Sequence, residues 1–336
     1  LSVFHTAKAK WMVVLRRQIE NMTAALPVLA VLFIPIVLGM GKLYVWVNPE
    51  AHPHLNHEEL HLIHHKHGYL NAGGFVVRGL VYFGIWIVVA HLLRGWSLKQ
   101  DSARDIGLTV RQRKLGVGGL PLLALSITFA SFDWLMSLTP VWFSTIYGVY
   151  YFAGGFLGAI CLLTLTTTYA QGKDLYGRLV SLHHFHNLGK LMLAFTAFWA
   201  YIAFSQLLLV WIANIPEEVP WYKVRLSGSW YPVSIALGLL HFVVPFFILL
   251  SRDIKLKPKA LAVMAVYLLA VCYLDTYWLV IPAIQPDSPM PSWTDLTAFV
   301  GVGGVAVAFA VFRMRGTYSV PVGDPYLQDS LRYTQP

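Results

Sequence analysis

The chain is short of charge and of cysteine. Only 12% of its 336 residues are Asp, Glu, Lys or Arg, and it has two cysteines. A soluble globular domain usually carries about 25% charge, so that class is excluded. Cys161 and Cys272 both fall within hydrophobic runs, leaving no CxxC, CxxCH or iron–sulfur spacing; both read as buried apolar thiols. Deep histidine is also scarce. Of the 13 histidines only His241 lies well inside an apolar run, with His91 near the end of another. A bis-histidine membrane haem needs facing ligands deep in two spans, so intrinsic haem is not expected. No secretory signal peptide is visible, and the chain does not open on Met. Further residues, and further spans, are expected before Leu1.

What is present is hydrophobic length. The chain is 57% hydrophobic with a mean hydropathy of +0.59, and a bilayer needs about 20 apolar residues per helical span. The runs predict an all-α polytopic membrane protein with eight spans, near 23–47, 70–93, 116–138, 142–170, 187–213, 230–250, 259–284 and 295–312. Trp46, Trp96, Trp142, Trp211 and Trp293 sit near span ends, where aromatic belts belong. The net charge of +9 reads as topology, not as nucleic-acid binding. Most of the 25 Lys and Arg fall in alternate loops on the starting side, including Arg16, Arg17 and Arg178. Only Lys42, Lys66, Arg78, Lys223 and Arg225 fall on the other. The positive-inside rule then makes the starting side, and both visible termini, cytoplasmic.

The halves repeat in part. Gly41 to Glu50 has a counterpart in Leu207 to Glu217, and Arg104-Asp105-Ile106 in Arg252-Asp253-Ile254. An Asp followed seven residues later by Pro occurs at Asp133–Pro140 and at Asp275–Pro282, each in the third span of its half. Both halves begin on the same side, so the repeat is parallel. Two four-helix bundles related by a pseudo-twofold are expected, over 1–186 and 187–316. The polar residues 317–336 are expected as a cytoplasmic tail, extended on a partner or disordered.

A carboxyl group at membrane depth costs several kcal/mol unless a partner, water or a proton accompanies it. Ser126, Asp133 and Ser137 share a helical face. Asp275 lies about 24 Å along its span at 1.5 Å per residue, with Tyr277 beside it. Tyr201 and Ser205 stand one turn apart on span 5, and His241 is on span 6. His183, His184, His186 and Lys190 open span 5 on the basic side. These twelve residues can pass protons through hydrogen bonds and trapped water. The alternative stands beside it: each Asp is neutral or bonded to a tyrosine or helix end and only pins helices, and the His cluster is a headgroup cap. The outer loop 48–69 holds His52, His54, His57, His61, His64, His65 and His67. If helical, His57, His61, His64 and His65 share a face. It could bind metal with Glu58 and Glu59, collect protons, or form a polar interfacial helix or partner contact.

Two four-helix bundles without intrinsic cofactor ligands resemble the NrfD/PsrC family of quinone-interacting membrane subunits. Ser181-Leu182-His183-His184-Phe185-His186-Asn187-Leu188-Gly189-Lys190, Ala203 to Gln206 and Trp211 to Glu218 resemble the ActF-type subunits of alternative complex III. Phe132 to Leu138 and Trp142 to Gly148 do so too. The resemblance covers all eight spans; the family usually has two more. It implies a subunit of a bacterial respiratory complex that oxidises quinol or menaquinol. This subunit would carry no cofactor. Iron–sulfur clusters and haem c would belong to partners: an NrfD-like sibling, an iron–sulfur protein, c-type cytochromes, or a terminal oxidase. The family role is proton conduction coupled to quinol oxidation in the cytoplasmic membrane. Quinol binding by the chain itself, and a structural anchor, are the alternatives. The His183–His184 pair is also similar to copper-site histidines of terminal oxidases, but the accompanying deep haem histidines are absent.

Overall fold

The computed structural model describes residues 1–53, 55–176 and 179–334. His54 and Arg178 lie outside the described residues. Among these, every regular element is a helix or helical turn. Eight are long and apolar enough to cross a membrane: α1 (Lys10–Leu38), α2 (Ala72–Ala103), α3 (Ile106–Leu138), α4 (Tyr147–Gly172), α5 (Leu182–Ala213), α6 (Gly228–Leu250), α7 (Pro258–Ala283) and α8 (Trp293–Met314).

The boundaries follow local chemistry. Asn71 starts α2 by accepting from the Gly74 N–H at 2.7 Å. Arg104 ends it in the left-handed conformation, φ 49°. Asp105 then caps α3 through the Gly107 N–H at 2.7 Å. A two-residue reversal therefore folds α2 tightly against α3. In α1, Pro27 and Pro35 each begin a new helical segment, Leu26–Leu32 and Ile34–Leu38. A proline has no N–H for the preceding turn, so α1 is a chain of short helices. In α6, Pro245 leaves the His241 carbonyl without its i+4 donor. The helix widens there into a π turn over Leu239–Val243, and the Tyr267 hydroxyl takes the Leu240 carbonyl at 2.8 Å.

The α4 helix packs against α3, α5 and α7, while α8 lies along α1. One apolar cluster, including Leu157, Phe185, Met192 and Leu268, joins α1, α4, α5 and α7 towards the Lys- and Arg-rich end. A second, rich in Trp and Tyr, fills the opposite half between α4, α5, α6 and α7.

Two expectations are corrected at the basic end. The first span starts well before residue 23, and it carries charge into the bundle. Arg16 pairs with Glu20 at 2.9 Å and Asp324 at 2.7 Å; Arg17 pairs with Glu20 at 3.2 Å and Asp101 at 2.7 Å. All these side chains are buried, which is tolerable because each guanidinium meets two carboxylates. The tail is neither extended nor disordered where it is described. Asp324 is the partner of Arg16, Val320 enters the core, and a short helix, Leu327–Leu331, seats Ser330 against α1. Ser330 Oγ donates to the Trp11 carbonyl at 2.8 Å and accepts from the Val14 N–H at 3.1 Å. The buried positive charge of α1 supplies the docking surface for the tail.

Candidate functional site

Asp133 stands in the last α-helical turn of α3, next to Trp134. A carboxylate there faces the negative end of the helix dipole and needs a cation. It gets one from α2. Arg78 Nε donates to Oδ2 at 2.8 Å and Nη2 to Oδ1 at 3.0 Å, and Tyr82, one turn on, donates its hydroxyl to Oδ2 at 2.7 Å. The Arg78 guanidinium lies 3.9 Å from the Tyr69 ring and donates to the Tyr69 carbonyl at 2.9 Å. Burial, then the Asp133 charge, pushes the Tyr69 phenol up to about 12. Asp133 itself is 0% exposed. It is an ion pair with both oxygens engaged, so the serine stripe does not continue from it as a proton wire. Ser126 accepts from Trp86 Nε1 at 2.9 Å, and Ser137 Oγ donates to the Asp133 backbone carbonyl.

Asp275 has a different setting. It is 4% exposed in the middle of the aromatic cluster. Tyr150 of α4 donates to Oδ1 at 2.5 Å, and Trp199 Nε1 of α5 donates to Oδ2 at 3.0 Å. Among the described residues it forms no ion pair. The Trp199 ring stacks on His241, centroids 3.7 Å apart. His241 Nε2 is 3.8 Å from Cys272 Sγ, one turn before Asp275. Four spans thus meet around one carboxyl group. Gly154 faces it without a side chain; a Cβ there would lie 3.5 Å from Oδ2. The opening is continuous with a recess of about 270 Å³ between α4, α7 and α8, room for several waters at about 30 Å³ each.

A buried cation, Arg225, stands just before α6. Its guanidinium donates to the carbonyls of Trp278, Leu279 and Trp221 at 3.3, 2.9 and 3.0 Å, and stacks 3.5 Å from the Trp221 ring. It caps the end of α7 beyond Asp275, where a positive charge suits the dipole. Burial pulls it down to about 9, which leaves it charged at neutral pH.

The other predicted residues divide. His241 and Asp275 come together through Trp199. Tyr201 does not join them: it is 66% exposed on the outer face of α5, with Ser205 half-buried one turn on. The inward face instead carries Thr196, Trp199 and Gln206. Tyr277 packs near Trp230, and its hydroxyl has no partner among the described residues. His184 is a helix cap. The Ser181 N–H donates to its Nδ1 at 3.0 Å, and its Nε2 faces the Ser330 carbonyl at 3.1 Å. Those partners assign a neutral Nε2–H ring that docks the tail. His183 and His186 are half-buried beside it, and Lys190 is exposed. Burial, then the charge of Lys190, lowers the ammonium of Lys255.

The His-rich segment is helical over His57–His65, opened by a reciprocal cap between Asn56 and Glu59. His64 reaches Glu50 at 3.3 Å. Among the described residues no three of His, Cys, Asp and Glu are grouped to hold a metal. Lys66 ties this segment to the α3–α4 turn through the Pro140 carbonyl at 2.7 Å.

Arg78, Tyr82, Tyr150 and Trp199 were not identified in the sequence as site residues. Arg78 and Tyr82 were the more accessible, being spaced i, i+4 on one helical face. Nothing in the sequence ties Tyr150 or Trp199 to Asp275. The chain matches no protein-family model and no curated protein.

Proposed function

We propose that this chain is an integral subunit of a quinol-oxidising respiratory complex of the alternative complex III type, with no redox centre of its own. The Asp275 centre is its proton-transfer site. Asp275 carries this reading: a buried carboxyl group inside a span, with two neutral donors, no ion-pair partner among the described residues and a recess beside it. A carboxyl group so held can take up and release a proton without breaking a salt bridge. His241 Nδ1 and Thr196 Oγ1 are buried without hydrogen-bond partners among the described residues, and such atoms ordinarily bond to water. In this reading the basic end faces the cytoplasm. Iron–sulfur clusters and haem c reside in partner subunits, among them an NrfD-like sibling, and the bacterial cytoplasmic membrane is the location.

The test is the reconstituted complex carrying Asp275→Asn or Asp275→Glu. The asparagine should keep quinol oxidation and lose coupled proton movement, and the glutamate should restore it. Equal proton movement in the asparagine variant would leave only a structural anchor.

A second reading has its own observation. A recess of about 360 Å³ at the opposite end, lined by Lys66, Tyr69, Phe132, Ser137, Trp142 and Phe143, lies near the Arg78–Asp133 pair. Its aromatic walls and polar floor suit a quinol head group. Inhibitor resistance on Phe132→Ala would favour quinol binding by this chain.

A further inference from the structure

At the basic end, α1, α2 and α8 do not close on one another. The break at Pro27 leaves a cleft of about 190 Å³, bordered by Thr23, Pro27, His91, Arg94, Phe309 and Arg313. Arg94 is 7% exposed. Its guanidinium donates to Asn21 Oδ1 at 3.2 Å and to the Arg313 carbonyl at 2.7 Å, both neutral acceptors. Arg313 borders the same cleft, and its charge is within electrostatic reach of Arg94. Two like charges therefore stand together, and the carboxylates nearby are committed elsewhere: Glu20 to Arg16 and Arg17, Asp101 to Arg17, and Asp324 to Arg16. Among the described residues neither Arg94 nor Arg313 forms an ion pair.

A pair of this kind, Arg94 buried and Arg313 exposed, calls for an anion. The rest of the cleft says which. Pro27, Ile87, Ala90 and Phe309 give it apolar walls that continue onto the outer faces of α2 and α8, where Val88 and Phe312 are exposed. Arg94 and Arg313 lie at the basic ends of the apolar runs of α2 and α8, where long cationic side chains reach for headgroups. A soluble anion would find one charged side and three greasy ones.

We infer that this cleft binds one anionic phospholipid, its phosphate between Arg94 and Arg313 and its acyl chains along α2 and α8. Such a lipid would fill the seam that α8, packed mainly on α1, leaves beside α2. Basic pockets between spans at the Lys- and Arg-rich end of a membrane protein are the general setting for this recognition. The inference does not depend on the function proposed above.

The experiment uses the full chain, extracted from membranes in its native assembly and titrated with phosphatidylglycerol, phosphatidylcholine or inorganic phosphate under native mass spectrometry. Wild type should hold one phosphatidylglycerol per chain in preference to phosphatidylcholine. Arg313→Gln should weaken that by about fivefold, since one arginine near the surface contributes about 1 kcal/mol, and Arg313→Lys should keep most of it. Arg313 offers Arg94 only its backbone carbonyl, which both variants retain. Equal retention of the two lipids, or phosphatidylglycerol binding indifferent to Arg313→Gln, overturns the site. Phosphate binding as tightly as the lipid, dependent on Arg313, overturns its assignment to lipid. A photoactivatable phosphatidylglycerol, crosslinking wild type between residues 309 and 313, reads the same site without any substitution; crosslinks only elsewhere reject it.

Discussion

Arg78 grips Asp133 as a fork, Nε to Oδ2 at 2.8 Å and Nη2 to Oδ1 at 3.0 Å. Asp275 receives only Tyr150 and Trp199. Two aspartates that look alike along the chain, each seven residues before a proline, are therefore different chemical objects. One is neutralised by a cation from the adjoining helix and ties α2 to α3. The other meets two neutral donors, so no salt bridge would have to break for it to titrate, which is what the proposed function requires.

The first prediction concerns the fork. Arg78→Gln leaves the Asp133 carboxylate buried with Tyr82 alone, and should destabilise the protein by about 3 kcal/mol, the lower end for breaking a buried pair because Arg78 is partly solvated. Adding Asp133→Asn removes the stranded charge and should recover at least about 1 kcal/mol. Unfolding midpoints of the two single variants and the double variant in detergent give the coupling directly. Strictly additive losses would mean that the fork contributes nothing as a pair.

A second prediction concerns the tail. Asp324→Asn deprives buried Arg16 of one of its two carboxylates and should cost about 2 kcal/mol, the range for hydrogen bonds to charged groups. Release of the tail should follow, since Asp324 anchors the segment that carries Ser330 to α1 and His184. Limited trypsin digestion reads this as faster cleavage after Arg315 and Arg332. Cleavage at the wild-type rate would show that the tail is held by its other contacts alone.

Span positions were legible in the sequence because hydropathy runs and helical length obey the same bilayer constraint. The end of α2 was less so: the apolar run closes near residue 93, whereas the helix continues to Ala103 before Arg104 and the Asp105 cap of α3 reverse the chain. The interior of α1 was not. Arg16 and Arg17 read as a loop until Glu20 beside them, and Asp101 and Asp324 far along the chain, are seen to neutralise them. The tail failed for the same reason: its polarity looked like solvation but is the complement of a buried cationic helix. For the candidate site, Asp275 and His241 were visible as costly groups in apolar runs. Their meeting was not, because Trp199 bridges them and a tryptophan in a span carries no signal distinguishing a donor from packing. Tyr201, chosen for its hydroxyl, points the wrong way around α5.

A third prediction is a pH dependence outside the spans. His5 is 9% exposed, and burial, then the charge of Arg16, brings its pKa from 6.5 down to about 3. The folded protein resists protonating it, while the unfolded chain takes the proton below 6.5. Its neutral state is compatible with full stability above that value. Stability should then fall with acid by about 1.4 kcal/mol per pH unit until about pH 3, where the folded form also protonates. His5→Asn should flatten this slope. Unfolding midpoints at pH 7.5 and 5.5 for both proteins decide it, and parallel slopes would reject the assignment.

The last prediction concerns how α4 is set against α3. A Cβ on Gly148 would fall 2.5 Å from Thr128 Cγ2 and 2.8 Å from its Cα and Cβ. Those atoms are backbone and a branched side chain, which cannot swing aside. Gly148→Ala must therefore push the helices apart, and should destabilise by about 1–3 kcal/mol as overpacking does. On the same helix, Gly155 has nothing within 4 Å of its would-be Cβ. Gly155→Ala should be neutral, or stabilising by up to about 1 kcal/mol through helix propensity. Thermal unfolding of the two variants side by side makes the comparison, and equal effects would reject the close approach. Tyr150 lies two residues beyond Gly148, so a displaced α4 also draws the Tyr150 hydroxyl from Asp275, now 2.5 Å away. Gly148→Ala should consequently impair proton movement in the reconstituted complex, while Gly155→Ala leaves it intact.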